Sequence, residues 1–272
     1  MYVEGSVLYV EKNIDLKKNP EGSFAASIYL RNEAQLLQGK EDEKNSGDGM
    51  LSVFQEGRAT AYTYNYWGLP VQNTFTSSNS IQNIIHEPLS RTASRPALVT
   101  TNHNGNANPL TISARWIYKL SGWGYYSWKY IGDNFDLKPG EGFTMKGVDG
   151  VNNEIQLYGI DNNPGGAQRY DFRGLPNTGT IELDLNKDEI RLVGNPYPSA
   201  LDLNAFLIEN TNSTGIAYFW DSRPVASHYL QDYEGGYGAY SPALGREGYV
   251  PPVFQKFNNN GEATDNTGNT GE

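Results

Sequence analysis

At 272 residues the chain is long enough for two ordinary domains or one large all-β unit. Its net charge of −10 repels a phosphate backbone and argues against nucleic acid as a partner, and the absence of cysteine excludes disulfides, thiolate metal sites and cysteine nucleophiles. Thirty glycines and 14 prolines beside 19 tyrosines and five tryptophans suit short strands joined by tight turns and would break long helices.

Residues 1–58 alternate short apolar pieces, Ser6-Val7-Leu8-Tyr9-Val10 and Ala34-Gln35-Leu36-Leu37-Gln38 among them, with polar turns such as Asn19-Pro20-Glu21-Gly22. Similar short strands with no helical period between them predict stacked rungs of a β-solenoid, with a β-meander as the alternative. The opening Met1-Tyr2-Val3-Glu4-Gly5 lacks the basic and apolar regions of a signal peptide and reads as mid-strand, so the chain is expected to be a piece cut at both ends. No apolar run of 18 residues exists, and no membrane insertion is expected.

Residues 59–257 predict a β-sandwich-like unit. Tyr62-Thr63-Tyr64-Asn65-Tyr66-Trp67 alternates aromatics on one face, as a half-buried strand does. Residues 72–109 are rich in Asn, Ser, Thr and Pro and read as long surface loops. Trp116-Ile117-Tyr118-Lys119-Leu120 reads as a strand that Gly122-Trp123-Gly124 turns into residues 125–131, and Pro139-Gly140-Glu141-Gly142 leads into Phe143-Thr144-Met145-Lys146. The order then recurs, which divides the unit into halves of about 59–150 and 151–257. Leu192-Val193-Gly194-Asn195-Pro196 matches Tyr66-Trp67-Gly68-Leu69-Pro70, Ile216-Ala217-Tyr218-Phe219-Trp220 matches Trp116-Ile117-Tyr118, and Arg246-Glu247-Gly248-Tyr249 is a poor partner for Gly140-Glu141-Gly142-Phe143. One helix is predicted, capped by Asp202, with Leu203, Phe206 and Leu207 on one face and Asn210 at its end. Residues 258–272 hold too few apolar groups to order themselves and read as a disordered tail.

The candidate sites are few. Ser227, His228 and Asp232 lack the strained elbow and oxyanion glycines of a triad; the alternative is a strand-edge histidine bonded to a turn. His86 and His103 read as solvated loop residues. The carboxylates Asp133, Asp136, Glu141, Asp149, Glu154, Asp161 and Asp171 would need a fixed separation across one cleft to act on a glycoside, and scattered surface acids are the expectation. No catalytic residue, cofactor or metal ligand is assigned. Calcium is the one cation with candidate oxygens, in 41–48, 149–153 and 161–163, without an EF-hand pattern. Trp123, Tyr125, Tyr126 and Trp128 would form a sugar-stacking platform if they shared an exposed face, as would Tyr233, Tyr237 and Tyr240; aromatics more often bury.

The sharpest local signal is the corner Gly194-Asn195-Pro196-Tyr197-Pro198, followed by Ser199-Ala200-Leu201-Asp202. It carries no nucleophile and no phosphate loop. Together with Ala34-Gln35-Leu36-Leu37-Gln38, residues 64–71, 137–146 and 170–179 and Ala217-Tyr218-Phe219-Trp220, it resembles the region upstream of the sorting domain in large secreted proteins of Flavobacteria and other Bacteroidetes, exported by the type IX secretion system. The resemblance covers most of residues 30–257. It implies an extracellular or cell-surface location, a non-catalytic, adhesin-like or scaffold role, and contact with the secretion machinery through a C-terminal domain missing here. The expected function is therefore a structural or adhesin-like segment, not an enzyme, with a surface glycan or protein as partner. A carbohydrate-binding module of a larger surface enzyme is the alternative.

Overall fold

The computed structural model describes residues 1–22, 24–39, 44–73, 80–242 and 248–270. Among these the backbone is mostly strand, gathered into several sheets, with one α-helix, so the protein is all-β. Two compact units divide it, Met1–Ala200 and Leu201–Glu272.

The first unit opens with β1 (Tyr2–Glu4), β2 (Val7–Val10), β3 (Asp15–Leu16), β4 (Ile28–Arg31), β5 (Gln35–Gln38), β6 (Ser46–Gly47) and β7 (Leu51–Gly57). The pairing is parallel and keeps one order: β1 lies on β4, β2 on β5, β3 on β6, and β4 on β7. Each parallel pair needs a crossover, and here the intervening strands supply it. The corners recur as well. Gly5 takes φ +57 between β1 and β2, and Asn32 takes φ +50 at the matching place between β4 and β5, where asparagine tolerates the left-handed region.

The chain continues through β8 (Tyr64–Trp67), β9 (Val71–Gln72), β10 (Ile85–Pro88), β11 (Ser94–Pro96), β12 (Leu98–Thr100), β13 (Gly105–Ala107), β14 (Leu110–Ser113), β15 (Tyr118–Gly122), β16 (Trp128–Tyr130), β17 (Phe143–Lys146), β18 (Val148–Asp149), β19 (Asn152–Leu157), β20 (Ile160–Asn163), β21 (Gln168–Pro176) and β22 (Ile190–Arg191). A seven-stranded sheet runs β1-β4-β7-β21-β10-β11, with β9 on β21. A five-stranded sheet runs β16-β15-β17-β8, with β22 on β15. Leu30, Leu51, Val53, Ile85, Phe143, Met145, Tyr170 and Phe172 are buried in one core cluster. Trp67 of β8 reaches Tyr170 and Phe172 at 5.5 and 5.6 Å between ring centroids.

Two expectations change here. The boundary at 58/59 falls inside the first unit, because β7 pairs along its length with β21, from Gln168 opposite Gly57 to Gly174 opposite Leu51. Within 72–109, expected as surface loops, β10 to β13 form, and Ile81, Ile84, Ile85, Ala97 and Ala107 are buried. Local polarity had outweighed a thin apolar pattern there.

The Gly194–Pro198 corner is tied in by its own polar groups. Asn195 Oδ1 accepts from Tyr197 N and its Nδ2 donates to Ser199 O. Tyr197 hydroxyl donates to Gly179 O, and Leu36 N of β5 donates to Pro198 O. Asn177 Nδ2 donates to both Leu69 O and Pro196 O. Gly194 and Gly68 meet backbone to backbone: a Cβ on Gly194 would stand 2.4 Å from Gly68 Cα.

The second unit holds α1 (Leu203–Glu209), β23 (Ala217–Ser222), β24 (Glu234–Tyr240), β25 (Tyr249–Val250), β26 (Val253–Phe257) and β27 (Ala263–Thr270). Asp202 caps α1 by accepting from Ala205 N at 3.0 Å, and Asn210 closes it, as its sequence predicts. The sheet order is β23-β24-β26-β27, with β25 on β24. The expected disordered tail is corrected for 263–270, which pairs antiparallel with β26. Main-chain pairing after a turn in which Asn258 Oδ1 accepts from Asn260 N and Glu262 N orders this segment, whereas its composition had spoken only of side-chain burial.

Candidate ligand-binding face

Alternation along β8 and β17 sorts their side chains. Trp67, Phe143 and Met145 turn to the core, which leaves Tyr64, Tyr66, Thr144 and Lys146 on the opposite face. Thr144 lies opposite Tyr66 and Lys146 opposite Tyr64; on β15, Tyr118 lies opposite Thr144 and Tyr130, and Leu120 opposite Trp128. One face of the sheet thus carries Tyr64, Tyr66, Tyr118, Trp128 and Tyr130, with Trp116 just before β15. Tyr64, Tyr66, Trp116, Tyr118 and Trp128 are half-buried and Tyr130 is exposed. Ring centroids stand 6.1 Å apart for Tyr66–Trp128, 5.4 Å for Tyr118–Tyr130 and 6.4 Å for Tyr64–Trp116.

Beneath these rings, Thr144 hydroxyl donates to Trp116 O at 3.1 Å. Lys146 Nζ sits 4.0 Å from the Trp116 ring and 4.8 Å from the Tyr64 ring. The ring faces favour its charge, yet burial lowers its pKa from the ordinary lysine value to about 7.

The β15–β16 hairpin extends the aromatic character outward. Gly122 and Gly124 take φ +126 and +73, which turns the chain into the short 3-10 segment Tyr125–Ser127. Trp123 is 60% exposed and Tyr126 83%. The expectation that these rings bury is overturned for both, because the hairpin carries them off the sheet. Trp128 remains half-buried against Tyr66. In the second unit Tyr233 is buried, which raises its pKa to about 12, and Tyr237 packs on Trp220 at 5.0 Å. Tyr240 lines a shallow 580 Å³ cleft with Leu203, Asn204, Phe219 and Tyr249.

A second constellation, whose members the sequence pattern does not bring together, is a buried polar cluster on the seven-stranded sheet. Asp171, fully buried, accepts from Ser52 Oγ at 2.6 Å, Ser94 Oγ at 2.6 Å and Arg173 Nε at 2.7 Å. Arg31 donates to Ser52 Oγ at 2.7 Å and to the carbonyls of Leu30, Ser52 and Arg91. Its guanidinium lies 3.5 Å from the Phe54 ring. Arg173 also donates to the carbonyls of Phe24 and Thr92. Burial pushes the Asp171 carboxyl upward, but Arg173, Arg31 and the two hydroxyls outweigh it and hold the group below its usual range. His86, expected as a solvated loop residue, is buried on β10 against Phe24. Burial lowers its pKa to about 4. The signal for this cluster was Arg173 two residues after Asp171, on one face of a strand, but its partners lie more than 70 residues away.

The other candidates serve local structure. Glu141 is buried and accepts from Lys138 N at 3.0 Å and Lys119 Nζ at 3.1 Å; burial raises its pKa, and these donors with Arg191 bring it below the ordinary value. Asp133 accepts from Ser80, Asp149 from Gly150 N and Asn104, and Asp161 from Gln156. Asp136, Glu154 and His103 are exposed. Ser227 donates directly to Asp232 and accepts from Tyr229 N, which makes a turn and not a triad, and His228 lies outside any strand. Among the described residues no group of three or more His, Asp or Glu could hold a metal ion. Of the calcium candidates, Glu41 to Glu43 lie outside the described residues, as do Arg246 and Glu247 of the proposed repeat. Among the described residues no helix is long and apolar enough to cross a membrane.

The molecule is thus an all-β protein with a parallel N-terminal stack, an aromatic sheet face and a closed polar cluster. A family model described as a domain of unknown function, DUF8693, matches residues 3–263, and the chain belongs to that family. No curated protein and no solved structure matches it.

Proposed function

We propose that the chain is a non-catalytic, structural or adhesin-like segment of a secreted cell-surface protein, built from solenoid-like rungs and a sandwich-like unit with an internal duplication. The carrying observation is the parallel stacking of β1 on β4 on β7, β2 on β5 and β3 on β6. Rungs that satisfy each other's backbone make a stiff, extendable body, which suits a stalk or scaffold. The strongest titratable cluster supports the same role, since Asp171 accepts from Arg173, Ser52 and Ser94, and Arg31 donates to Ser52 and to main-chain carbonyls. The duplication draws support from the corners matched in sequence, whose Gly68 and Gly194 lie back to back, and from the antiparallel pairs β15–β16 and β23–β24. Export by the type IX system, with a C-terminal sorting domain read by the secretion machinery, rests on the motif resemblance alone.

An antibody against the chain tests the location. It should label intact, unpermeabilised cells that express the protein natively; labelling only after lysis sinks the reading. A carbohydrate-binding module of a larger surface enzyme is the second reading, and the exposure of Trp123 and Tyr126 favours it.

A further inference from the structure

We infer that the outer face of the β16-β15-β17-β8 sheet, with the β15–β16 hairpin, binds a neutral polysaccharide in extended form; the inference rests on the second reading and names its site and ligand class. Three observations carry it. The first is the ring array: Tyr66, Trp128, Tyr118 and Tyr130 lie on three strands of one sheet with centroid separations of 5.4 and 6.1 Å. Neighbouring strands about 5 Å apart set Tyr118 and Tyr130 at the scale of successive sugars in a chain, while Tyr66 and Trp128 reach toward each other over β17 and β15. The second is exposure at the outer end, where Trp123, Tyr126 and Tyr130 are 60%, 83% and 59% exposed.

The third is charge. Among the described residues at the paired positions of this face there is no carboxylate, and the one cation, Lys146, is 3% exposed beneath the rings. A ligand arriving here meets π-faces and hydroxyls, with no surface charge to pair. Ring faces are negative and attract the weakly positive C–H groups of a pyranose face. An acidic polysaccharide would bring carboxylates that this face cannot answer, to a protein of net charge −10. A protein partner is the less suited occupant, since among the described residues only Leu120 and, opposite Gly122, Ile190 are aliphatic at the paired positions of the face.

The test is affinity electrophoresis of the full chain in gels containing mixed-linkage β-glucan, hydroxyethylcellulose or xylan, with polygalacturonate as the acidic arm. Retardation is expected in at least one neutral gel and not in the acidic one. Trp123→Ala and Tyr130→Ala, both exposed and so tolerable to the fold, should each weaken it about tenfold, the loss of one aromatic anchor. Tyr218→Ala, on an exposed residue of the second unit, should leave it unchanged. No retardation in any neutral gel, retardation in the acidic gel alone, or retardation indifferent to both variants would each overturn the inference. Surface location is read separately by labelling intact cells, so either result can fail while the other stands.

Discussion

Asp171 shows how much one side chain can organise. Its carboxylate takes bonds from Ser52, Ser94 and Arg173, and Arg31 lies 3.9 Å away, so strands far apart in sequence meet on it. Removing one charge from a buried pair leaves the other uncompensated, which costs about 3–5 kcal/mol. Asp171→Asn is therefore expected to lower the urea midpoint by that amount of stability, and Ser94→Ala by about 1 kcal/mol. Equal midpoints for Asp171→Asn and the parent would remove the cluster from the account of the fold. Lys146 carries a different expectation. Its folded pKa of about 7 lies below the ordinary lysine value because of burial. Between those two values the unfolded chain holds a proton that the folded chain has released, so stability rises with pH over that window. Below about pH 7 both states are charged and the penalty of burying the ammonium is felt in full. Relative to Lys146→Met, the parent should gain stability from pH 7 to pH 10, and parallel curves for the two in urea titrations at each pH would refute the assignment.

At the scale of elements, the closest approach joins two turns. Gly194 stands where a Cβ would lie 2.4 Å from Gly68 Cα, and a Cβ on Gly68 would lie 2.6 Å from Asn195 O. Backbone cannot swing aside as a side chain end can. Gly194→Ala is thus expected to cost about 2–3 kcal/mol, an overpacking penalty, against little or no loss for Gly22→Ala, which has nothing within 4 Å. Thermal unfolding of the two variants side by side checks it. This corner was legible because its chemistry is local: asparagine turning its own backbone, two prolines, a glycine. So were the helix of Asp202 and Leu203–Glu209 and the short strands of residues 1–58. The aromatic face was legible only in part. The alternation of Tyr64 and Tyr66 is a property of one strand, but their company with Trp128 and Tyr130 follows from the pairing of β8 through β17 and β15 to β16, which strand pattern does not specify. His86 differs from its sequence expectation for a related reason: the stretch 72–109 is polar as a whole although Ile84 and Ile85 precede the histidine, and Phe24, which packs on its ring, is distant in sequence.

At the scale of the molecule, the N-terminal strands form a repeat that ends on a different kind of partner. β4 and β7 pair in parallel, as the rungs before them do, but the other edge of β7 is closed by β21 in antiparallel register over seven residue pairs. The same junction holds the Arg31–Ser52–Asp171 bonds, two of whose members lie before residue 58 and one long after it. A chain ending at 58 would keep the rungs, lose the bonds that close β7, and leave the buried Arg31 guanidinium without its carboxylate. A short stack of two- to seven-residue strands buries too little apolar surface to offset its ordering entropy by itself. Residues 1–58 alone are therefore expected to be unfolded, with no cooperative transition in urea, whereas 1–200, which restores β21, Asp171 and the Gly194–Pro198 corner, should unfold cooperatively. A cooperative transition in the shorter piece would mean that rung-to-rung contacts suffice, and that the antiparallel seal on β7 adds stability to a stack already able to stand.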